Sequence, residues 1–248
     1  MIRTLAFLAA ATLAVSACSD DKSAVTAPAT PVAAVPPPAG KAWSDVVAVT
    51  PEGGFRMGNP DAPVKLIEYA SYTCPHCKVF EETGAPPLIE KYVKSGRVSW
   101  EYRSLLLHAP DAPLTLLINC RGADPFFTLK PQLFAAQEEM LDKLTKLPQA
   151  EQQALQTMLQ SAPPATQFQI LADRTGAFGF FGARGLSRPQ AQACLSDQKA
   201  LDALTQHQQQ AGELGVNSTP SFLINGQLQA NTASWEQLEP LLRQALGA

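Results

Sequence analysis

Residues 64–77 are VKLIEYASYTCPHC, an apolar run that leads into two cysteines at CxxC spacing. The run Val64–Ala70 predicts a buried strand, and Lys78–Glu82 predicts the opening of a helix. A thiol at the start of a helix lies beside unpaired backbone N–H groups and the positive end of the helix dipole. Both favour the thiolate, which is the form that attacks disulfides. The stretch therefore predicts dithiol redox chemistry at Cys74 and Cys77.

Pro75 and His76 separate the two cysteines and complete the predicted catalytic motif. We expect the His76 imidazole to donate a hydrogen bond to the Cys74 sulfur and to stabilise its negative charge. A fall in the pKa of Cys74 from about 8.5 to roughly 3.5–4 would stabilise the reduced form by on the order of 6 kcal/mol. A dithiol that is stable when reduced makes an oxidising disulfide.

A CxxC pair also occurs as a structural pair, in haem attachment and as half of a zinc site. Haem attachment needs His directly after the second cysteine, where this chain has Lys78. A closed zinc site needs two more ligands, usually another closely spaced pair. The other candidate ligands are isolated in the sequence: Cys120, Cys194, His108 and His207. We expect no metal and no cofactor, and a purely structural pair stays open as an alternative.

The N-terminal residues predict export from the cytoplasm. Arg3 precedes an apolar stretch, Leu5–Val15, that is too short to span a bilayer comfortably. The following Val15-Ser16-Ala17-Cys18 suits an ordinary secretory cleavage site and also resembles a bacterial lipobox. A lipidated Cys18 would carry acyl chains, whereas a plain secreted protein would be left with a lone reactive thiol. We therefore predict a lipoprotein signal peptide at 1–17 and lipidation of Cys18, on either the inner or the outer membrane.

Two further segments follow. Residues 18–42 contain the lipidated Cys and a Pro/Ala-rich stretch that predicts an extended tether. Residues 43–248 suffice for one domain with a sizeable core. The formal net charge is −3 and Lys and Arg form no cluster, which argues against nucleic acid as a partner.

The periodicity of the domain predicts β-α-β, a helical block and then β-β-α. Gly84–Pro87 should interrupt the first helix, because proline lacks the N–H that an inner helical turn requires. The Asn-Gly dipeptide near the end is a strong hairpin signal. The later elements are a strand at Val98–Leu105, helices within Pro113–Ala200, a hairpin at Ser221–Gln229 and a closing helix at Trp235–Leu246.

This order of elements resembles the DsbA-like branch of the thioredoxin superfamily. The resemblance rests on GNPDAPV from Gly58 leading through EYASYT into CPHC, on Cys120–Gln137, and on GVNSTPSF from Gly215 followed by Ile224-Asn225-Gly226. It implies an α/β chain with a thioredoxin fold and an inserted, mostly helical domain at about 112–204. The usual activity of this family is dithiol–disulfide exchange in the bacterial periplasm, most often donating disulfides to newly exported proteins.

The resemblance also implies roles for individual residues. Cys74 would be the attacking cysteine and Cys77 the resolving one. Pro220 falls on the family's cis-proline, so the backbone of Thr219 would face Cys74 and pair with an extended substrate peptide. The alternative is that Thr-Pro merely precedes a strand.

Glu68 matches a buried acid of the superfamily, and its carboxyl could carry the proton that Cys77 must lose or gain. The alternative is a strand-end Glu that reaches solvent. We expect Glu81 on a solvated helix face and His108 as a structural or surface residue.

Cys120 and Cys194 are expected to form a structural disulfide. Unpaired cysteines are uncommon in an oxidising compartment, and some relatives bridge similar positions. Two separately buried thiols are the alternative.

Three functions stay open. The leading hypothesis is a monomeric, lipid-anchored periplasmic oxidase that acts on exported polypeptides with free thiols and is recycled by a membrane redox partner. The second is a reductase or isomerase kept reduced by a membrane electron donor. The third is a non-catalytic, chaperone-like binding module that uses the groove beside Pro220.

Overall fold

The structure is a computed structural model that describes Pro28 and residues 30–247. The predicted signal peptide at 1–17 and the predicted lipidation site Cys18 lie outside the described residues. Within the described part, no helix is both long enough and apolar enough to cross a bilayer.

One mixed sheet of six strands, in the spatial order β1-β2-β4-β3-β5-β6, forms the centre of the described chain. Only β3 and β4 run parallel, and each of the other neighbouring pairs is antiparallel. The strands are β1 (Val47–Val49), β2 (Phe55–Met57), β3 (Val64–Ala70), β4 (Val98–Ser104), β5 (Ser221–Ile224) and β6 (Gln227–Leu228).

Most of the helical residues lie between β4 and β5, as the resemblance implies. A π-helical turn, Ile89–Val93, continues the second helix toward β4. The helices are α1 (Pro75–Thr83), α2 (Ala85–Leu88), α3 (Asp111–Asn119), α4 (Phe126–Ala135), α5 (Gln137–Thr145), α6 (Gln149–Ser161), α7 (Pro164–Thr175), α8 (Ala177–Gly182), α9 (Arg188–Leu195), α10 (Gln198–Glu213) and α11 (Trp235–Ala245).

The predicted strand Val64–Ala70 is confirmed as β3, a central strand of the sheet. Its Leu66 is in register with Trp100 of β4 on one side and with Ile224 of β5 on the other. The side chains of β3 are mostly buried, and a central strand covered on both faces is apolar over most of its length, which explains why the sequence could show it. The chain leaves β3 at Ala70 and reaches Cys74, the N-cap of α1, four residues later.

The first helix begins and ends where the sequence predicts. Cys74 is the N-cap residue with an extended backbone, and Pro75 occupies the first turn, where its missing N–H costs nothing. At the other end, the Gly84 N–H donates to the Phe80 carbonyl at 2.8 Å, and α2 starts at once with its prolines in the first turn. The predicted interruption at Gly84–Pro87 is therefore confirmed.

The closing β-β-α unit is also confirmed. Asn225 and Gly226 both have positive φ, of 51° and 82°, and connect β5 to β6 in a tight turn. Positive φ at both central residues is what a two-residue hairpin requires, and it explains the choice of Asn-Gly. Helix α11 then packs its buried face, including Leu238 and Leu242, on the sheet.

Two features differ from the sequence-based expectation. The hairpin β1–β2 was not predicted, and it extends the sheet by pairing β2 with β4. The described part of the predicted tether also contacts the domain rather than projecting from it. Val32 N donates to Leu246 O at 3.0 Å, and Val35 N donates to Ser95 O at 2.9 Å. The indole of Trp43 in turn donates to Val35 O at 2.8 Å, which fixes this segment on the surface.

Candidate active site

The tertiary structure brings the CPHC motif against the Thr219-Pro220 peptide bond, which is cis. The Cys74 sulfur lies 3.3 Å from the carbonyl oxygen of Thr219, a contact between residues 145 positions apart. Cys74 and Cys77 are both buried and are free thiols in this structure. The two sequence stretches that were expected to meet therefore lie side by side.

The two thiols have opposite acidities. The pKa of Cys74 is lowered to about 5, chiefly by a hydrogen bond from the Cys77 thiol. Burial of Cys74 acts in the opposite direction, whereas Thr219 and the backbone N–H groups of Cys77 and His76 lower the pKa further. Burial, followed by the hydrogen bond to Cys74 and its negative charge, raises the pKa of Cys77 far above its ordinary value. Cys74 is therefore the thiolate at neutral pH, and Cys77 keeps its proton.

The hydrogen bond expected from the His76 imidazole to Cys74 is not among those of the described residues, and the role of this ring stays a prediction. The His76 side chain is exposed, and none of the described hydrogen bonds joins its ring to the Cys74 sulfur. His76 is the second residue of α1, so its N–H points along the helix toward the N-cap while its side chain projects outward. The backbone N–H of His76 is one of the groups that lower the pKa of Cys74.

A buried charged cluster lies beneath the thiol helix. Glu68 is almost fully buried, and its Oε2 accepts a hydrogen bond from the Trp100 indole at 3.0 Å. Its Oε1 is also buried and has no hydrogen-bond partner among the described residues. The ammonium of Lys130 lies 4.0 Å from the centre of the Trp100 ring and forms an ion pair with Glu81.

The solvated face expected for Glu81 is therefore wrong, because Glu81 is buried against Lys130 of the inserted block. The sequence reasoning also missed Lys130. A signal was present, since Lys130 is the one charged residue in the mostly apolar run FFTLKPQLF at 126–134. A lone charge in such a run is rarely buried without a partner.

Burial raises the pKa of Glu68 to about 7. The positive charge of Lys130 and the hydrogen bond from Trp100 lower this pKa, whereas the negative charge of Glu81 raises it. The carboxyl is therefore divided between its two protonation states at neutral pH, as a proton carrier needs to be. The expected burial of Glu68 is confirmed, and its role as a proton carrier stays a prediction.

The remaining candidate residues make none of the described hydrogen bonds to the two sulfurs, although His108 contacts Thr73, directly before Cys74. Cys120 and Cys194 are bonded to each other, with their Cα atoms 6.1 Å apart. His108 is exposed and its Nδ1 lies 2.8 Å from Thr73 Oγ1, while His207 lies half-buried against Gly53. In the described ranges, no group of three or more His, Cys, Asp or Glu side chains is arranged to hold a metal ion.

A groove beside the cis-proline has a volume of about 470 Å³. Its walls come from the turn before β5 and from the segment between β6 and α11. The residues that line it include Ser218, Pro220, Gln229, Asn231 and Thr232. The groove is therefore mostly polar and adjoins the peptide bond that faces Cys74.

Known proteins share this fold. A family model described as Thioredoxin matches residues 50–244. The crystal structure of a protein-disulfide isomerase from Novosphingobium aromaticivorans is similar with a TM-score of 0.72 and 30% identity, over 78% of this chain and 97% of that chain. Alpha-DsbA1 from Wolbachia pipientis is similar with a TM-score of 0.57 and 20% identity, over 83% of this chain and 96% of that chain.

A curated relative from Rickettsia bellii, provisionally named a protein-disulfide oxidoreductase, is 24% identical over 176 residues. The match covers 71% of this chain and 58% of that relative. The chain thus spans little more than half the length of this relative.

Proposed function

The chain belongs to the thioredoxin family, in the DsbA-like form of the fold, and from this premise we propose that it is a thiol:disulfide oxidoreductase that introduces disulfides into exported polypeptides. The observation that carries the proposal is the contact between the Cys74 sulfur and the Thr219 carbonyl oxygen. It places a reactive sulfur beside a backbone edge to which an extended peptide can pair.

In the first step, a substrate thiolate attacks Cys74 of the Cys74–Cys77 disulfide. A new bond forms between the substrate sulfur and Cys74 Sγ, the bond between the two cysteines breaks, and its electron pair goes to Cys77. Because burial raises the pKa of Cys77, this sulfur takes up a proton as it leaves. We assign that proton to Glu68, whose pKa of about 7 allows it to donate and then recover a proton near neutral pH.

In the second step, another substrate thiolate attacks the substrate sulfur of the mixed disulfide. The substrate disulfide forms and Cys74 departs as a thiolate, which its pKa of about 5 makes a good leaving group. The substrate has then lost two electrons, which the protein holds as the Cys74 thiolate and the Cys77 thiol. The two substrate thiol protons go to solvent, and Glu68 recovers from solvent the proton that it gave to Cys77. The low pKa of Cys74 favours this direction because it stabilises the reduced protein.

The groove beside Pro220 would receive the substrate. Its mostly polar walls suit an extended polypeptide backbone better than a deep apolar side chain. The second substrate thiol must reach the mixed disulfide, so clients with two nearby cysteines on a flexible segment are the expected class.

We also propose that the protein acts in the periplasm, held to a membrane by lipid on Cys18 and reoxidised by a membrane redox partner. The support is the sequence of the first 18 residues, with its apolar stretch and VSAC lipobox. Incorporation of labelled fatty acid into the wild type and its loss in Cys18→Ser test the anchor. A mature Cys18 that carries no acyl chain would show a plain secreted protein.

Disulfide isomerisation is the second candidate function. It is favoured by the similarity, at 30% identity, to a solved structure described as a protein-disulfide isomerase. An isomerase must spend much of its time as the dithiol, and therefore needs an electron donor and a lower reduction potential than an oxidase.

One measurement separates the candidates: the equilibrium of the Cys74–Cys77 pair with glutathione, read together with oxidation of a reduced two-cysteine peptide. For an oxidase we expect a potential nearer about −120 mV than about −270 mV and stoichiometric peptide oxidation. The Cys74→Ser variant is the control and should oxidise nothing. A potential near about −270 mV would instead support the reductase or isomerase.

A further inference from the structure

Two buried side chains of the inserted helical block bind the loop that carries Cys74. This loop, Ser71–Thr73, connects the end of β3 to the N-cap of α1. Asp111, the first residue of α3, is 0% exposed, and Gln137, the first residue of α5, is 6% exposed. Neither belongs to the thiol motif, and neither touches a sulfur in the described contacts.

The Asp111 carboxylate collects hydrogen bonds from the loop before Cys74. Oδ1 accepts from Ser71 Oγ at 2.9 Å and from the Thr73 N–H at 3.0 Å. Oδ2 accepts from Thr73 Oγ1 at 2.9 Å and also from the backbone N–H groups of Leu107 and His108, at 2.9 and 3.0 Å. One carboxylate therefore ties the loop before α1 to the loop after β4 through charge-assisted hydrogen bonds.

Gln137 binds the same loop as a hydrogen-bond donor, whereas the Asp111 carboxylate is an acceptor. Its side-chain Nε2 donates to the carbonyl oxygens of Tyr72 and Cys74, each at 2.9 Å. Asp111 thus accepts from the backbone N–H of Thr73, and Gln137 donates to the carbonyls of its two neighbours, Tyr72 and Cys74. Both side chains are buried, so water cannot readily replace either set of hydrogen bonds.

We propose that Asp111 and Gln137 are positioning residues that hold Cys74 where its sulfur meets the N–H groups of α1 and the Thr219 carbonyl. The Cys74 backbone is extended, with φ −85° and ψ 120°, while the next residue is already helical. This N-cap geometry decides where the sulfur lies, and hydrogen bonds to a thiolate weaken steeply when their distance or angle changes. The inserted block therefore sets the reactivity of a cysteine that belongs to the thioredoxin part of the fold.

This inference rests on the exchange reaction proposed for Cys74 and adds the residues that determine its thiolate. Its test compares Gln137→Met with the matched control Gln208→Met. Gln208 also bridges two backbone groups with its amide, accepting from Leu106 N at 2.8 Å and donating to Ser104 O at 3.1 Å. It does so at the end of β4 and makes none of the described hydrogen bonds to Ser71–Cys74. Both substitutions keep side-chain length and remove an amide from partly or fully buried backbone groups.

The readouts are the thiolate absorbance at 240 nm as a function of pH and the equilibrium with glutathione. In Gln137→Met we expect the Cys74 pKa to rise by about one unit and the equilibrium constant for oxidising a dithiol to fall about tenfold, or ~30 mV. In Gln208→Met both quantities should keep their wild-type values, even where thermal stability falls equally.

Asp111→Asn provides a second, near-isosteric variant that weakens the charge-assisted hydrogen bonds from Ser71 and Thr73. If these bonds position Cys74, its pKa should rise, whereas the loss of a nearby negative charge would by itself lower the pKa of Cys74. If Asp111→Asn does not fold, Gln137→Met decides alone. Wild-type pKa and potential in Gln137→Met, with a stability loss like that of Gln208→Met, would show a merely structural role and overturn the proposal. The titration needs no substrate, so a wild type that oxidises no peptide would contradict the proposed function without deciding this comparison.

Discussion

The ammonium of Lys130 and the carboxylate of Glu81 form an ion pair in the protein interior, with 1% and 7% of their side chains exposed. Glu81 belongs to α1, the helix of the thiol pair, and Lys130 belongs to α4 of the inserted block. The pair therefore joins the two parts of the fold directly beneath the active site. Its two charges also act on Glu68 in opposite directions, and Lys130 has the larger effect on the pKa of Glu68.

Lys130→Met should destabilise the protein by about 3–5 kcal/mol, because it leaves the Glu81 carboxylate buried without its partner. The measurement is urea unfolding near neutral pH. The matched control is Lys143→Met, which removes a lysine from an exposed pair with Glu139 and should cost about 0.3–0.5 kcal/mol. Equal losses in the two variants would contradict the buried pair.

Glu68→Gln should flatten the pH dependence of stability between about pH 4.5 and about pH 7. The folded-state pKa of Glu68 is raised from 4.5 to about 7, so its contribution is fully present below pH 4.5 and is lost as the pH rises through 7. The loss in the wild type corresponds to roughly 3 kcal/mol, which the neutral amide does not incur. Urea unfolding of both proteins across this range measures the difference.

The control for this prediction is Glu138→Gln, an exposed carboxylate that should leave the pH profile of stability as in the wild type. A Glu68→Gln profile parallel to that of the wild type would show that Glu68 titrates normally and would remove it as the proton carrier.

Cys74 should be alkylated by iodoacetamide at a nearly constant rate from about pH 6 to pH 8, because its pKa of about 5 keeps it a thiolate throughout. An ordinary thiol would react about tenfold faster for each unit in the same range. In Cys74→Ser, the remaining Cys77 should react very slowly, since burial raises its pKa and shields it. A Cys74 rate that climbs steadily to pH 8 would contradict the low pKa.

The same shift predicts how the stability of the reduced protein depends on pH. Because the pKa of Cys74 is lowered from 9.0 to about 5, its stabilising contribution is present above about pH 9 and is lost as the pH falls toward 5. The difference in free energy of unfolding between the reduced wild type and Cys74→Ser should therefore grow with pH in this range. Guanidinium unfolding in the presence of reductant measures it, and a constant difference would refute the assignment.

Replacing both Cys120 and Cys194 by Ala should lower stability by up to about 4–5 kcal/mol, the chain-entropy value for a loop closed over a separation of 74 residues. Unfolding is to be measured without reductant. The Cys74 pKa should stay near that of the wild type, because neither residue contacts the thiol pair in the described structure. Mass spectrometry of a non-reduced digest checks the bridge, and an alkylated Cys120 would disprove it.

The parts of the fold that the sequence predicted correctly are those with strong local patterns. Val64–Ala70 is a mostly apolar run, the Asn225-Gly226 turn suits a tight hairpin, and Gly84–Pro87 interrupts the first helix. The hairpin β1–β2 lacked such a pattern, because each of its strands is only three residues long. Pairing of β2 with β4 makes these residues a strand, and that neighbour is remote in the sequence.

In the candidate site, too, the features set by local spacing were predicted, and those set by contacts between distant residues were not. The spacing of Cys74 and Cys77 and their place at a helix start were sufficient to predict dithiol chemistry and an acidic first thiol. The expected contribution of the His76 ring stays a prediction, because sequence spacing alone does not show that its side chain is exposed. Glu81 was placed in solvent because Lys130, 49 positions later, was not known to face it.

Residue types and short spacings determined by themselves which atoms can react in this protein: two sulfurs on a helix start, and a carboxyl on the strand below. The tertiary structure alone decided how they react, through the Thr219 carbonyl beside Cys74, the buried Lys130 beside Glu81, and the Asp111 and Gln137 side chains on the loop. The physical reason is that a pKa depends on burial and on charges and dipoles within a few ångströms. Those neighbours come from distant parts of the chain and meet only when it folds.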